Sequence, residues 1–165
     1  MDLAVNVSAR QLISPRFCAT VASILAITGM DPKTLILEMT ENIFIEDSER
    51  AAKALTDLNE LGVRLALDDF GTGYSSLSYL GRLPIHIVKI DRRFIAEIGD
   101  VAGRAIVDAV TSLAHVLGLT VVAEGVETES QHAEISALGC EYAQDYYYAM
   151  PMSASAFGAQ LAAAS

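Results

Sequence analysis

The dipeptide Leu-Gly recurs at Leu61-Gly62, Leu117-Gly118 and Leu138-Gly139, and each time a short β-rich run follows at once. Glycine ends a helix readily because it can adopt the left-handed conformation there, so the dipeptide marks a turn from helix into strand. Strand-like runs lie at Leu3–Val7, Leu35–Met39, Arg64–Leu67, Ile85–Ile90, Thr120–Ala123 and Tyr142–Tyr146. Apolar residues at helical spacing fill the gaps: Phe17, Val21, Ile24 and Leu25, then Ala51, Ala54, Leu55, Leu58 and Leu61, then Ile106, Val110, Leu113 and Leu117. Ser14-Pro15 reads as an N-cap with proline at the first helical position, and Thr128 with Gln131 as a capping box. An alternation of this kind implies a parallel sheet covered by helices, either open or closed into a barrel. Polar residues end every strand, and no glycine-rich phosphate turn follows the first, so a TIM-like (β/α) barrel is expected rather than a dinucleotide fold. A complete barrel has eight strands; about six βα units are present over residues 1–165, about two short.

Composition is consistent with such a sheet. Hydrophobic residues make up 52% of the 165 and charged ones 19%, as a sheet buried beneath helices requires. The net charge of −10 lacks the basic footprint of a DNA- or RNA-polymer binder. An acidic protein can still handle a phosphorylated ligand if metal cations lie between carboxylates and phosphate. No apolar run reaches membrane-spanning length, and Met1-Asp2-Leu3 does not open a signal peptide, so a cytoplasmic location is expected. Cys18 and Cys140 read as small core residues in a reducing compartment.

The strand ends carry the chemistry. The first run ends in Asn6 and Ser8, the second gives Glu38 and Glu41, and the third Asp68 and Asp69. The fourth gives Lys89 and Asp91, the fifth Glu124 and Glu127, and the sixth Gln144. In a β/α barrel these positions open into one mouth. A single Asp at such a point commonly caps a helix or turn, but four strands delivering carboxylates into one space repel unless cations or a lysine intervene. As the chain bends at Asp68-Asp69, one carboxylate can bridge two metal ions while its neighbour binds one. Asn6 and Glu38 offer hard oxygen ligands suited to Mg²⁺ or Mn²⁺, and no Cys or His ends a strand to suggest zinc. Two such ions fit in-line cleavage of a phosphodiester, with Lys89 holding or deprotonating the water, or stabilising developing charge. Phe70-Gly71-Thr72-Gly73-Tyr74-Ser75-Ser76 reads either as a mobile loop over the site or as a plain surface turn. Asp69-Phe70-Gly71 is similar to the kinase metal loop, but other kinase motifs are absent. His86, His115 and His132 fall outside the row and are expected to be structural or exposed.

Val5-Asn6-Val7-Ser8, Leu37-Glu38-Met39-Thr40-Glu41, Asp68-Asp69-Phe70-Gly71-Thr72-Gly73, Val88-Lys89-Ile90-Asp91, Ala123-Glu124-Gly125-Val126-Glu127 and the Gln144 segment occur in the order and spacing of the EAL domain. The chain resembles, essentially end to end, this bacterial phosphodiesterase that opens cyclic di-GMP to linear pGpG. The resemblance implies that Asn6, Glu38, Asp68 and Asp69 are ligands of Mg²⁺ or Mn²⁺, with Glu124 in or beside the metal shell and Ca²⁺ inhibitory. Lys89 would act on the nucleophilic water, helped by Asp91. Gln144, Gly125 and Asp69 would border the substrate. Glu41 would brace the loop of Phe70, Gly71, Gly73 and Ser75, which the family ties to dimerisation and activation.

Two departures accompany the resemblance. The family's Glu-Ala-Leu signature, whose glutamate is a metal ligand, lies on a strand before the one ending in Asn6, and the chain as given starts after it. Asp145 stands where the family usually has glycine, adding a side chain and a negative charge where the backbone should run close to a phosphorylated ligand. Residues 1–165 are therefore expected to form the C-terminal portion of an EAL domain with weak or no hydrolysis by themselves. The other expectations are a degenerate cyclic-di-GMP receptor, or an interaction module that associates as a homodimer or strand-exchanged oligomer through its sheet edges. A sensory or GGDEF domain is the expected companion in a parent protein.

Overall fold

The computed structural model describes residues 1–40, 48–71 and 81–164. Its elements alternate along the chain: β1 (Leu3–Asn6), α1 (Ala9–Leu12), α2 (Phe17–Thr28), a 3₁₀ turn (Pro32–Thr34), β2 (Leu35–Thr40) and α3 (Ser48–Glu60) come first. β3 (Arg64–Phe70), β4 (Ile87–Ile90), α4 (Arg92–Ala96), α5 (Val101–Val116), β5 (Thr120–Ala123), α6 (Glu129–Ala137), β6 (Tyr142–Ala143) and α7 (Ala154–Ala164) follow. The six strands form one sheet in chain order, β1-β2-β3-β4-β5-β6, with every neighbouring pair parallel. This is the curled half-barrel that strictly sequential βα units produce.

Strand periodicity divides the sheet into two faces. The register Leu37↔Leu65, Met39↔Leu67, Leu67↔Val88, Val88↔Val121 and Ile90↔Ala123 lines up one face. Those residues are buried in a single core with Ala51, Leu55 and Leu58 of α3, Val107 and Ala114 of α5, and Ile135 of α6. Helices thus cover this face, and the opposite parity lines the inside of the curl. The cover thins at the edges, where Leu3 is 49% and Tyr142 63% exposed, as expected of strands with no outer neighbour.

Gly62, Gly118 and Gly139 all take positive φ after their helices, as the repeated dipeptide predicts. Thr128 and Gln131 form the predicted capping box, each satisfying the other's backbone N–H. Four local expectations are corrected. Ser14-Pro15 does not cap a helix: Ser14 accepts from Phe17 N–H in a turn between α1 and α2, and the capped start is at Ser8, with Gln11. α5 buries Gly103, Val107, Thr111 and Ala114 most deeply, with Val110 and Leu113 half-buried beside them and Ile106 and Leu117 exposed, so the buried face is rotated from the one the large apolar residues mark. Close packing explains the rotation, because a Cβ on Gly103 would lie 2.1 Å from the Glu97 carbonyl oxygen, so this small residue must face inward. β4 starts at Ile87 rather than Ile85, whose N–H turns back to the Leu83 carbonyl. β6 stops at Ala143 rather than Tyr146, because Asp145 takes φ +106 and its carbonyl accepts from Tyr148 N–H in a turn.

Candidate functional site

The inner face of the sheet carries Asn6, Glu38, Asp68, Lys89, Glu124 and Gln144. Asn6 pairs in register with Glu38 and Thr40 with Asp68, while Lys89 pairs with Val122 and Val122 with Tyr142. Glu124 and Gln144 stand two residues beyond that last pair, on the same face by the two-residue period of a strand. Predicted from strand ends alone, these residues are therefore brought together by register.

Adjacent acids in a regular strand point to opposite faces, so Asp68 and Asp69 require an irregularity to act together. β3 supplies one. Leu67 pairs with Val88 and Phe70 with Ile90, a register shift that inserts one residue, and Asp69 takes φ +54. The bulge re-aims the second carboxylate. Oxygens of Asp68, Asp69 and Glu124 all lie within 4.8 Å of one another. Asp68 also accepts from the Asp69 N–H at 3.0 Å, which fixes the bend.

Lys89 is only 3% exposed and stands among these acids. Its Nζ lies 2.5 Å from Glu124 Oε1, 2.8 Å from Glu38 Oε2 and 3.4 Å from Asp68 Oδ1. Burial acts to depress the Lys89 ammonium, but hydrogen bonds and charge from Glu124 and Glu38 outweigh it and hold the group above its ordinary value. Burial pushes the Glu124 carboxyl up, against the pull of Lys89. Both partners of one pair rise because burial outweighs the pull of Lys89 on Glu124, while Lys89 gains from Glu124 and Glu38 together. Burial likewise raises Asp69, with the charge of Asp68 and a bond to Asp91 adding to it. Asp91 is held low: burial acts upward, but bonds from the Arg93 backbone N–H and side chain prevail. Asp91 caps α4, accepting from Arg93 N–H at 2.8 Å and Arg93 Nε at 3.0 Å, and so stands behind Asp69 rather than pairing with Lys89.

Gln144 Nε2 donates to Glu124 Oε1 at 2.8 Å, at the exposed rim. Asn6 lies at the exposed edge strand. Gly125 takes φ +76 against α4, where a Cβ would lie 2.4 Å from Arg92 Cβ, and Gly71 faces Phe94 with 2.9 Å available. Phe70 is buried in the core. Glu41, Gly73 and Ser75 lie outside the described residues. Arg93 escaped notice in the sequence, although Asp91 followed by Arg92-Arg93 in the first turn of α4 is a readable cap. The histidines are placed elsewhere as expected: His86 Nδ1 accepts from Leu65 N–H at 3.2 Å, His115 bonds Glu141 at 2.8 Å, and His132 bonds the Tyr148 hydroxyl at 2.7 Å.

The donor set fits a divalent cation. Every ligand atom is a hard oxygen, the spread of the Asp68, Asp69 and Glu124 oxygens is one that an ion with ligands at about 2.1 Å can bridge after small rotations, and one ammonium cannot balance Glu38, Asp68, Asp69 and Glu124. Among the described residues, no helix is long and apolar enough to cross a membrane.

A sequence profile of the EAL domain matches residues 1–151. The Pseudomonas aeruginosa protein named bifunctional diguanylate cyclase/cyclic di-GMP phosphodiesterase MucR is 42% identical over 162 residues, covering 98% of this chain and 24% of that protein. Bacillus subtilis signaling protein YkoW is 37% identical over 153 residues, covering 92% and 19%. The chain thus spans about a quarter or less of the length of these relatives. The EAL domain of Mycobacterium smegmatis DcpA superposes with a TM-score of 0.93 at 41% identity, over 99% of this chain and 74% of that one. The cyclic-di-GMP complex of the MucR phosphodiesterase gives 0.89 at 42%, over 94% and 64%. Klebsiella pneumoniae BlrP1, solved with manganese and cyclic di-GMP, gives 0.82 at 33%, over 88% and 38%. Fold, profile and relatives agree, and the chain belongs to the EAL domain family.

Proposed function

We propose that this domain hydrolyses cyclic di-GMP to linear pGpG at the acid-lined mouth of the half-barrel. The observation that carries the reading is Lys89, buried and charged, within 3.4 Å of acids on β2, on β3 and just past β5. Relatives named or solved as cyclic-di-GMP phosphodiesterases support the substrate.

In this reading Asn6, Glu38, Asp68, Asp69 and Glu124 are the residues that would hold two Mg²⁺ or Mn²⁺ ions. When bound, such ions polarise the phosphate and lower the pKa of water. Lys89 holds the attacking water by hydrogen bond and stabilises charge developing on phosphate oxygens. Asp91 fixes Asp69, and Gln144 and Gly125 border the ligand at the rim. Glu41 would brace the segment that carries Phe70, Gly71, Gly73 and Ser75, through which dimerisation would adjust the site. Homodimerisation, a cytoplasmic location and a GGDEF or sensory companion domain complete the proposal.

The test is product analysis with a polypeptide that carries these residues within a complete barrel, since residues 1–165 by themselves are expected to be weakly active or inactive. Cyclic di-GMP should yield pGpG with Mg²⁺ or Mn²⁺ and not with Ca²⁺, and Lys89→Met should abolish it. Intact substrate under all three ions would reject hydrolysis. A second reading, a receptor that binds without cleaving, draws on Asp145, whose carboxylate stands at the rim. Calorimetry in Ca²⁺ separates the two, since binding heat without later turnover in Mn²⁺ identifies a receptor.

A further inference from the structure

Beyond the last paired residues of β5 and β6, the parallel ladder continues with Gln144 N–H donating to the Ala123 carbonyl at 3.0 Å. Regular pairing would next send Gly125 N–H to the Gln144 carbonyl. That carbonyl instead accepts from Val126 N–H, at 3.2 Å. The slip leaves Gly125 N–H without its ladder acceptor, and Asp145 Oδ2 supplies one at 2.5 Å. Half-buried backbone donors are satisfied by some group, and here the group is a side chain.

Two further observations show that the bond is built rather than incidental. Asp145 holds its side chain at φ +106, a conformation that glycine adopts freely and L residues rarely do. What the side chain supplies there, and a glycine would not, is an oxygen acceptor for the Gly125 N–H. Gly125 lies close under α4 at φ +76, where an added Cβ would meet Arg92 Cβ at 2.4 Å, so its backbone has little room to shift toward that helix. The residues directly preceding this pair make the other cross-link, Gln144 Nε2 to Glu124 Oε1 at 2.8 Å. Glu124 in turn meets Lys89 at 2.5 Å.

We propose that Asp145 is a positioning residue for Glu124 and Gln144. Its carboxylate takes the Gly125 N–H orphaned by the slipped ladder, ties the end of β6 to the end of β5, and so fixes where Glu124 presents its oxygens to Lys89 and to a cation. The metal part rests on the proposed function; the backbone part does not.

The experiment compares the full chain with Asp145→Asn, Asp145→Ala and Asp145→Gly, reading amide hydrogen exchange at Gly125 and Mn²⁺ affinity by calorimetry. Asn keeps an oxygen acceptor without charge, and Gly removes the acceptor without strain should the Ala variant fail to fold. Wild type and Asp145→Asn are expected to protect the Gly125 amide and to bind Mn²⁺ alike. The Ala and Gly variants should lose protection and about tenfold in affinity, the scale on which partners of metal ligands act. Equal exchange at Gly125 in all four chains overturns the proposal, and so does an Asn variant as weak as Ala, which would assign the effect to charge alone. If wild type binds no Mn²⁺, the metal-dependent function fails, and the Gly125 exchange pattern still decides the role of Asp145.

Discussion

Replacing Lys89 with methionine keeps an unbranched stem and removes the ammonium from among Glu124, Glu38 and Asp68. The side chain is 4% exposed and its three partners 11–15%. Removing one member of a buried ionic group costs about 3–5 kcal/mol, because uncompensated charge is left in a poorly solvated place. The partial opening of the mouth, and a Glu124 carboxyl already held up by burial and so readier to take a proton, favour the low end, about 3 kcal/mol. In a domain of this size that corresponds to a fall in Tm of roughly 6–12 °C. Cation binding should reverse it: Mn²⁺ at a hundred times its Kd returns about 2.7 kcal/mol. Scanning calorimetry in EDTA and in Mn²⁺ provides the assay. The Met variant should melt well below wild type in EDTA and gain more from Mn²⁺ than wild type does, since the ammonium no longer competes for the same oxygens. A variant as stable as wild type in EDTA, or a loss that Mn²⁺ leaves unchanged, refutes the view that Lys89 is the internal counter-ion of this site.

Gly125→Ala should cost about 2–4 kcal/mol, from the left-handed backbone and the contact with Arg92 at 2.4 Å, read as a lower urea midpoint. His86 accepts the Leu65 N–H and must be neutral to do so, and burial followed by the charge of Arg64 holds its pKa below the ordinary value. As the unfolded chain then binds more protons on acidification, this contribution is complete above about pH 6.5 and lost as pH falls through the folded pKa. His86→Gln should flatten the decline of Tm between about pH 7 and pH 5; an unchanged slope assigns the decline to other groups. A polypeptide of these 165 residues should self-associate through β1 and β6, where Leu3, Val5 and Tyr142 are 49%, 41% and 63% exposed. Val5→Lys with Tyr142→Lys should shift light scattering toward monomer, and a wild type already monomeric contradicts this.

The strands were legible because parallel strands buried beneath helices read as short β-branched runs, and because Leu-Gly marks where helices end. The row of site residues was legible for the same reason: once six sequential strands are granted, parity and register assign one face to all of it. What escaped depends on backbone geometry that residue identity does not encode. Asp68-Asp69 reads as a pair, but only the bulge and the positive φ of Asp69 place both oxygens in one space. The buried face of α5 was misjudged because large apolar residues attract notice, whereas close approach to Glu97 selects Gly103 and the small residues in line with it. The β6 boundary failed at Asp145, where a left-handed turn ends a run whose tyrosines favour a strand.

The position of Lys89 also bears on why a half-barrel holds a formed site at all. In a flat sheet, backbones three strands apart stand about 14 Å from each other. Glu38 on β2 and Glu124 just past β5 are that far apart in strand order, yet both meet one nitrogen, at 2.8 Å and 2.5 Å. Side-chain length closes part of the gap and the curl of the sheet must close the rest. The ammonium therefore reports curvature as well as charge. Among the described residues, the acids it pairs with lie on β2, on β3 and just past β5, strands joined neighbour to neighbour in one sheet.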